Sequence, residues 1–534
     1  MEAPLLILSG AYVNAEIAAE YGRIPPSFLP LGGIRLFARQ AALARGPVYL
    51  TLPDDFELDQ VDMHLLSRLK VSVIRVSAEI SLIEAIRCAV SALGDYTRLD
   101  LLHGDTLVEP GAMSETDSLA CHADPGPYYW AYIDESAGVV RFEQGFGDGM
   151  KARRVVCGYQ RVGDLKAFVR AANKADSYVD LLTRYHSSNK LEFHKVTDWY
   201  DFGHLGLLYR SKRKISIARA FNSISSDEYF AIKSSLDKMK MRAESYWYEN
   251  LPAELEIFTP RYFGQYDKND RAGYRIEYIY QPLVSDLFVF GNLPSNAKIR
   301  MLSSCFDFLK KCREFVPSQG ALELSEQYLL DLSRSLYSEK TKSRISSFIK
   351  SSELKLVEPI SVNGRSLPAV HEVAARLIAL IPAPTANEIS ICHGDLFFGN
   401  MLFDYRASRI IVIDPRGGFI PGAPSMWGDQ RYDLAKLAHS VIGAYDHILA
   451  GRSKLTVLDD NNWLFELPKT AHVTEVEDYF FDQIERYYDV SKPVLLAMTA
   501  LLFLSMLPLH ADNKVRQHHL LANGLRLASM SLII

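Results

Sequence analysis

One change of pattern, near residue 213, constrains the fold of this 534-residue chain more than any other feature of its sequence. Before it, short apolar runs alternate with amphipathic helical stretches, which predicts a mostly parallel α/β sheet. After it, a few β-like runs precede a long and chiefly helical part. A chain of this length also exceeds what one hydrophobic core usually organises. We therefore predict two α/β domains, 1–212 and 213–534, the second with a small β-rich lobe at 213–297 and a helical lobe at 298–534.

The hydrophobic periodicity also predicts individual elements. In the first domain, helices are expected at 34–45 and 81–93, strands at 5–8, 48–52, 71–76, 98–102 and 155–159, and a hairpin from 129–133 and 139–143. In the second domain, a helix is expected at 238–250, strands at 229–233, 256–259 and 274–280, a strand–loop–strand unit at 389–414, and a buried helix at 494–509.

Net charge and cysteine content indicate the kinds of partner and the cellular compartment to expect for this chain. The net charge of −5 gives no reason to expect nucleic acid or an anionic membrane as a partner. The six cysteines are scattered without a CxxC pair, which is typical of a reducing cytoplasm. The start of the chain lacks a basic leader, and the apolar stretch at 494–509 is shorter than the ~20 residues that a membrane span needs. We expect a cytoplasmic protein without membrane insertion; the pattern indicates no particular oligomeric state.

The strongest chemical signal is a pair of short motifs in the second domain. Residues 393–400 read HGDLFFGN, and residues 411–417 read IVIDPRG. Transfer of a phosphoryl group from ATP needs a carboxylate that orients and deprotonates the acceptor hydroxyl, and oxygen ligands for Mg²⁺. Asp395 is the candidate base, and Asn400 and Asp414 are the candidate metal ligands. The alternative is a β-hairpin with incidental acidic residues.

This spacing resembles the H-G-D-x-x-x-x-N and I-D motifs of aminoglycoside, choline and homoserine kinases, and the resemblance extends over residues 213–534. It implies a bilobal, protein-kinase-like fold that uses ATP and Mg²⁺ to phosphorylate a small molecule. It further implies that Lys233 pairs with the ATP phosphates and with Glu244, although either alone is more typical of a surface charge. The backbone of the segment from Glu277 to Ile279 would hold the adenine.

Two further segments of this domain fit the same resemblance. Residues 219–226 are the candidate turn over the phosphates, because a G-x-G-x-x-G loop is absent. Residues 428–437, GDQRYDLAKL, resemble the G-D-x-x-Y-D-L-A-K segment that follows the metal site in these kinases. There we expect Asp433 to brace the catalytic loop rather than contact the substrate. Trp427, Asp429 and Tyr432 would line an acceptor pocket or form an ordinary folded corner.

The first domain carries three weaker motifs in a consistent order. Residues 28–40, FLPLGGIRLFARQ, look like the P-L-L-P-L-G-G-K-P-L-L-x-R-Q stretch of sugar-nucleotide pyrophosphorylases and cytidylyltransferases; 103–105 (HGD) and 199–204 (WYDFGH) resemble their metal-site segments. The resemblance implies a Rossmann-like nucleotidyltransferase fold in which Asp105 and Asp201 share one Mg²⁺ and CTP or another NTP is bound. Otherwise this is a generic α/β domain, in which Asp105 ends a strand and Asp201 caps a helix.

The first loop of this domain departs from the family pattern. A triphosphate is usually cradled by glycine-rich backbone and by cations. Residues 9–16, SGAYVNAE, contain only Gly10 and an acid, and no lysine stands at 25–27. Arg23 is the candidate substitute for the lost cation. The domain is therefore either a divergent transferase or a domain that binds a ligand without turnover.

The two resemblances together predict two consecutive reactions. A kinase makes a phosphomonoester and a nucleotidyltransferase consumes one. ATP would thus phosphorylate a sugar, amino alcohol or similar hydroxyl compound, and an NTP would convert it to an NDP-linked precursor, as in the similar pairings of bacterial capsule and surface-polysaccharide biosynthesis. The alternatives are a small-molecule kinase with a degenerate, ligand-binding first domain, and a non-enzymatic scaffold of two retired domains.

Overall fold

The computed structural model describes residues 2–108, 117–135, 140–147, 153–217, 223–226, 229–268, 270–318, 323–420 and 423–532. The chain divides into two compact units. The first comprises Met1–Ser216 with Phe290–Asn292, and the second comprises Ile217–Val289 with Leu293–Ile534. The predicted boundary at 212/213 lies inside helix α7 (Leu205–Ile217), which explains why the sequence has no Pro/Gly/Ser-rich linker there.

The first unit is built on a mixed sheet. Its strands are β1 (Leu5–Leu8), β2 (Val48–Pro53), β3 (Val71–Val76), β4 (Leu99–His103), β5 (Thr106–Val108), β6 (Ser118–Ala123), β7 (Tyr129–Asp134), β8 (Arg141–Phe146), β9 (Arg154–Val162), β10 (Glu192–Lys195) and β11 (Trp199–Asp201). β3, β2, β1 and β4 are parallel neighbours in that order. β9 runs antiparallel to β4 and joins it to β6, which pairs in parallel with β10. The hairpin β7–β8 packs against β9, and β5 and β11 form a separate ribbon.

Helices cover this sheet. They are α1 (Ala15–Tyr21), α2 (Leu36–Ala41), α3 (Gln60–Arg68), α4 (Leu82–Ala92), α5 (Leu165–Lys174), α6 (Tyr178–Ser188) and α7. Leu6 of β1 belongs to one buried cluster with Ile86 of α4 and Phe168 of α5, because alternate residues of a strand face opposite sides of the sheet. The helix predicted at 34–45 is shorter than expected. Gly32 and Gly33 take left-handed φ angles of 63° and 77°, and this tight turn delays the helix.

The second unit begins with a four-stranded antiparallel sheet. Its strands are β12 (Ser223–Ser226), β13 (Phe230–Ser235), β14 (Tyr262–Lys268) and β15 (Arg271–Glu277), in the order β12-β13-β15-β14. Helix α8 (Lys238–Glu249) packs on β15 and β14. The strand predicted at 256–259 is wrong. Pro252 and the acidic Glu254 favour a helix start, so α9 (Ala253–Glu256) forms there and β14 follows Pro260.

The rest of the second unit is chiefly helical. Its helices are α10 (Val284–Phe290), α11 (Ser295–Arg313), α12 (Glu326–Ser333), α13 (Glu339–Ser351), α14 (Val370–Leu380), α15 (Gln430–Val441), α16 (Tyr445–Leu449), α17 (Thr474–Tyr487), α18 (Lys492–Met506) and α19 (Lys514–Ser531), with a π-helical turn at Arg334–Ser338. Its short strands are β16 (Ile360–Val362), β17 (Arg365–Leu367), β18 (Ile389–Ile391), β19 (Met401–Asp404), β20 (Arg409–Val412), β21 (Trp427–Asp429), β22 (Lys454–Asp459) and β23 (Asn462–Glu466). A small antiparallel sheet followed by helices confirms the predicted bilobal fold class.

Helix α18 is the predicted buried helix. From Leu495 to Leu504 every residue is buried, and α15 and α19 pack against it. Lys492–His510 is long and apolar enough to cross a bilayer, but 61% of its apolar window is buried inside the fold. Among the described residues it is the one helix with this property.

Candidate active site

The loop that carries Asp395 is held by a buried carboxylate on helix α15. Asp433 accepts the backbone N–H groups of His393 and Gly394, each over 2.7 Å. Gly394 has a φ of +79°, and a Cβ there would lie 2.7 Å from Cβ of Arg416, so glycine is required. Burial raises the pKa of Asp433 to about 7, against the effect of these two N–H donors. Asp433 therefore braces the loop that precedes Asp395.

His393 connects this loop to the metal-site strand. Its Nε2–H donates to the carbonyl oxygen of Ile413 over 2.9 Å, and its Nδ1 accepts the backbone N–H of Asp395 over 3.3 Å. Burial lowers the pKa of His393 to about 4, so the ring is neutral and can donate at one nitrogen while it accepts at the other. The histidine thus orients the loop and does not act as a cation.

The carboxylate of Asp395 has two polar neighbours. Lys436 Nζ lies 2.7 Å from Asp395 Oδ1, and Asn400 Nδ2 donates to Asp395 Oδ2 over 3.0 Å. Burial opposes ionisation, but Lys436, through its charge and its hydrogen bond, outweighs it together with His393 and Arg416 and holds the pKa of Asp395 below its usual range. Asp395 is therefore a carboxylate at neutral pH and can accept a proton from a hydroxyl group.

Asp414 meets the predicted lysine–glutamate pair. Lys233 Nζ lies 2.8 Å from Glu244 Oε2 and 3.0 Å from Asp414 Oδ1. Tyr274 donates its hydroxyl to the same Glu244 oxygen over 2.9 Å. Desolvation lowers the pKa of Lys233, but Asp414 and Glu244 outweigh this and raise it. β13, α8 and the turn after β20 thus bring together three charged residues that the sequence separates.

Asn400 and Asp414 fit a hydrated Mg²⁺ bound to phosphates. The backbone N–H of Ile413 donates to the carbonyl oxygen of Asn400 over 3.0 Å, which brings the two segments together. Because Asn400 Nδ2 donates to Asp395, its Oδ1 is left as the acceptor for a cation. No group of three His, Cys, Asp or Glu side chains able to share a metal lies in the described part of the chain. Mg²⁺ commonly uses one or two protein ligands and completes its shell with phosphate oxygens and water.

The backbone N–H groups of the predicted hinge, residues 277–279, differ in whether they have a hydrogen-bond partner in the backbone. The N–H of Glu277 donates to the carbonyl oxygen of Arg261 over 2.8 Å, and that of Tyr278 to Tyr229 over 2.9 Å. The N–H of Ile279 has no backbone partner within the described residues. Ile279 is therefore better placed than Glu277 to hold an adenine through an N–H. Both line a cleft of the second unit, and Lys233, Asp395, Asn400 and Asp414 lie outside the lining of that cleft.

Two contributors to this site were missed by sequence reasoning. Lys436 lies in the segment GDQRYDLAKL, three residues after Asp433, but the sequence motif alone did not predict a role for it. Because residues three apart lie on the same face of a helix, the position of this lysine relative to Asp433 predicts that it also faces the catalytic loop. Tyr274, on β15, had no recognisable signal. The first half of the predicted phosphate turn, 219–222, lies outside the described residues, and the second half forms strand β12 (Ser223–Ser226), which pairs with β13.

In the first unit, Asp105 and Asp201 are brought together by the β5–β11 ribbon. Asp201 pairs with Thr106 in its register, and Phe202 N–H donates to the carbonyl oxygen of Asp105 over 2.8 Å. A Cβ at Gly203 would lie 2.4 Å from Asp105 Oδ2, so a larger residue there would displace this carboxylate from its present position. The two acids are therefore neighbours. The space that Asp105 occupies explains why a glycine, Gly203, precedes helix α7.

His204 adds a partner that the sequence did not predict. Its Nδ1 and its backbone N–H both lie 3.0 Å from Asp201 Oδ1. Burial raises the pKa of Asp201 to about 6, with a contribution from Asp105, while His204 lowers it. Asp201 thus bonds to the turn before α7 and also lies beside Asp105. A metal at this pair would share Asp201 with the imidazole.

A glutamine links two of the predicted motifs in this unit. Gln40 Nε2 donates to the carbonyl oxygens of Gly104 and Thr106 over 3.0 and 2.8 Å. Ser27 Oγ donates to the same Gly104 oxygen over 3.1 Å. The segment at 28–40 therefore holds the turn that presents Asp105.

The candidate nucleotide-loop residues have specific local contacts. Arg23 Nη1 lies 2.7 Å from Asp55 Oδ2, and its guanidinium lies 3.7 Å from the ring centroid of Tyr12. Both ionic side chains are exposed, so the pair is solvent-screened. A Cβ at Gly10 would lie 2.3 Å from Val76 Cγ2, which explains the glycine by packing alone. Arg23 is thus already paired with an acid.

Comparison with known proteins assigns a family to part of the second unit. Residues 304–454 match the family model described as the phosphotransferase enzyme family (APH). This segment contains Asp395, Asn400, Asp414 and Asp433, so the second unit carries a phosphotransferase domain. No curated protein matches the chain.

Solved structures similar to each unit have low identity. The nucleoside-diphosphate-sugar pyrophosphorylase from Vibrio cholerae RC9 is 13% identical, with a TM-score of 0.32 over 39% of this chain and 99% of that one. The inositol-1-phosphate CTP transferase from T. maritima is 13% identical, with a TM-score of 0.32 over 41% and 98%. An aminoglycoside-3'-phosphotransferase of type VIII is 16% identical, with a TM-score of 0.33 over 52% and 84%.

Proposed function

We propose that the second unit is an ATP-dependent small-molecule kinase with Asp395 as its base. The observation that carries the proposal is the contact of Lys233 with both Glu244 and Asp414, next to a loop in which Asp395 is ionised. A structural ion pair alone would not require a catalytic carboxylate, a metal-type asparagine and a bracing aspartate on the same loop. The family match over 304–454 supports the same reaction class.

The chain's own groups account for each part of the reaction. Lys233, oriented by Glu244, would bind the α- and β-phosphates of ATP, and Ile279 would hold the adenine. Asn400 and Asp414 would bind Mg²⁺, which neutralises charge on the phosphates. Asp395 would take the proton of the acceptor hydroxyl while the oxygen of that hydroxyl bonds to the γ-phosphorus of ATP. The bond from that phosphorus to the bridging oxygen breaks, and ADP leaves.

For the first unit we propose a nucleotidyltransferase that uses CTP or another NTP. Its substrate would be the phosphomonoester made by the kinase, and its product an NDP-linked precursor for surface polysaccharide. The neighbouring Asp105 and Asp201 support this role, because attack of a phosphate on a triphosphate requires strong neutralisation of charge. We further propose that residues 1–212 and 213–534 are the two functional domains in a cytoplasmic enzyme.

Two specific contacts favour a second candidate function. Arg23, the predicted substitute for the lost loop cations, is paired with Asp55, and His204 is bonded to Asp201. The first contact engages the guanidinium that would bind a triphosphate, and the second engages a carboxylate that would hold its metal. The alternative is therefore a kinase whose first unit binds a ligand without turnover.

One assay on the full chain tests the kinase and separates the alternatives. The protein is incubated with ATP, Mg²⁺ and a set of hydroxyl compounds, and ADP release is measured. The phosphorylated product is then offered with CTP, UTP, GTP or ATP, and pyrophosphate release is measured. ADP release without pyrophosphate release would favour the alternative. Absence of both acceptor-dependent ADP release and Mg²⁺-dependent ATP binding would overturn the kinase.

A further inference from the structure

A group of cations lies beside the catalytic loop of the second unit. Lys340 and Arg344 come from α13, where residues four apart share one face of the helix. Arg416 follows Asp414, and Lys436 comes from α15. Lys436 Nζ contacts Asp395 Oδ1 at 2.7 Å, and Arg416 also favours the ionised form of Asp395. Lys436 and Arg416 therefore lie close to the carboxylate proposed as the base.

Three of these cations have no carboxylate partner among the described residues. Arg344 Nη1 donates to the carbonyl oxygen of Ser505 over 3.2 Å. The guanidinium of Arg416 lies over the ring of Tyr432, 5.4 Å from its centroid. Lys340 makes no hydrogen bond or ion pair with another described residue. Positive charges collected in this way repel one another, and an anion would relieve the repulsion.

The charge state of Lys340 reflects this repulsion. Partial desolvation lowers its pKa to about 8, together with Arg416, Arg344, Lys436 and Lys240. The side chain is nevertheless exposed to solvent, so a dissolved molecule can reach it.

The helix that presents Lys340 and Arg344 is anchored next to the catalytic loop. It follows the π-helical turn Arg334–Ser338, a rare geometry that is frequent at functional sites. In this turn, Ser335 Oγ donates to the carbonyl oxygen of Phe419 over 2.9 Å, and Tyr337 donates to Asp429 Oδ2 over 3.2 Å. These bonds join α13 to the segment that contains Arg416, so the positions of the cations are set by the fold.

We propose that the phosphoryl acceptor is a hydroxyl compound that also carries an oxyanion, a carboxylate or a phosphate ester, bound by Lys340, Arg344 and Arg416. This inference rests on the proposed kinase function. Guanidinium groups bind carboxylates and phosphates through paired hydrogen bonds, and an ammonium group adds a point charge. The anion would hold the acceptor while its hydroxyl lies at Asp395. An amino alcohol with a free cationic group would be repelled by the same side chains.

The test uses the full chain with Mg·ATP and acceptors matched in size. The four classes are neutral polyols, amino alcohols, hydroxycarboxylates, and sugar or polyol phosphates, and ADP release is the measurement. We expect turnover only with anionic members, and the last two classes distinguish a carboxylate from a phosphate. Equal or better kcat/KM for neutral or cationic members would overturn the inference. So would turnover of no anionic member while ATP binding is intact.

Variants then test the assigned side chains. Lys340→Gln and Arg344→Gln should each raise KM for the anionic acceptor at least ~10-fold, with the Kd of Mg·ATP unchanged. Lys342→Gln, an exposed neighbour on the same helix, is the matched control and should leave KM unchanged. Loss of Mg·ATP affinity with an unchanged acceptor KM would overturn the inference and assign the cations to ATP. Failure of the wild-type chain to bind Mg·ATP would instead overturn the kinase proposal.

Discussion

The backbone N–H of Phe202 donates to the carbonyl oxygen of Asp105 over 2.8 Å and so closes the β5–β11 ribbon around the two predicted metal carboxylates. Asp105 lies after β4 and Asp201 ends β11, far apart in the chain. The ribbon brings them together, and burial with this neighbour raises the pKa of Asp201 to about 6. Two neighbouring acids of like charge, of which Asp201 is buried, remain together at a cost unless a cation or a hydrogen-bond donor offsets it.

We expect Asp105→Ala to abolish NTP-dependent pyrophosphate release while phosphorylation of the acceptor continues. The reason is that a metal at this pair would lose one of its two carboxylate ligands. Pyrophosphate and ADP are measured in parallel on the same preparation. Asp95→Ala, at an exposed position of the same unit, is the control. Pyrophosphate release that survives in Asp105→Ala would show that Asp105 is not a required metal ligand of the proposed transferase.

Asp395→Asn should lower kcat of the kinase by at least ~10²-fold, with Mg·ATP affinity nearly unchanged. An amide cannot accept the hydroxyl proton, but it occupies the same volume and can still bond to Asn400. Steady-state ADP release gives kcat, and equilibrium titration with ATP gives the affinity. Asp478→Asn, an exposed substitution of the same type, is the control. Near-normal turnover by Asp395→Asn would show that another group is the base.

Asp414→Ala should lower nucleotide affinity as well as turnover. It removes a candidate Mg²⁺ ligand and also one of the two carboxylates that contact Lys233. We expect the Mg²⁺-dependent part of ATP binding to be lost, measured by titrating ATP with and without Mg²⁺. An unchanged affinity in the presence of Mg²⁺ would exclude Asp414 as a metal ligand.

Lys436→Met should make the kinase sensitive to mild acid. Burial raises the pKa of Asp395, and Lys436 makes the largest of the opposing contributions, so removal of this cation lets the pKa rise. The fraction of ionised Asp395 then falls at a higher pH than in the wild type. The acid limb of the kcat profile should move to higher pH in Lys436→Met. It should return to its wild-type position in Lys436→Arg, which keeps a cation beside Asp395. An acid limb at the same pH in both variants and the wild type would contradict this coupling.

Much of the fold was predictable from the sequence because local patterns encode it. Apolar runs gave the parallel strands β1 to β4, and the capping box of Ser81 with Glu84 marks the start of α4. The strand predicted at 256–259 failed because three apolar and β-favouring residues in a short window do not distinguish a strand from the end of a short helix. Pro252 carried the better signal.

The sequence by itself determined the residues that the proposed phosphoryl transfer requires, Asp395, Asn400 and Asp414, because that chemistry demands particular side chains at short and regular spacing. The tertiary structure alone decided which charges offset one another. Arg23 pairs with Asp55, His204 bonds to Asp201, and Lys436 contacts Asp395, whereas Lys340 and Arg344 have no acidic partner among the residues that the structure describes. The reason is that Coulomb interactions depend on distance in space, and the distances across these loops and helices follow from packing of the whole unit rather than from neighbouring residues.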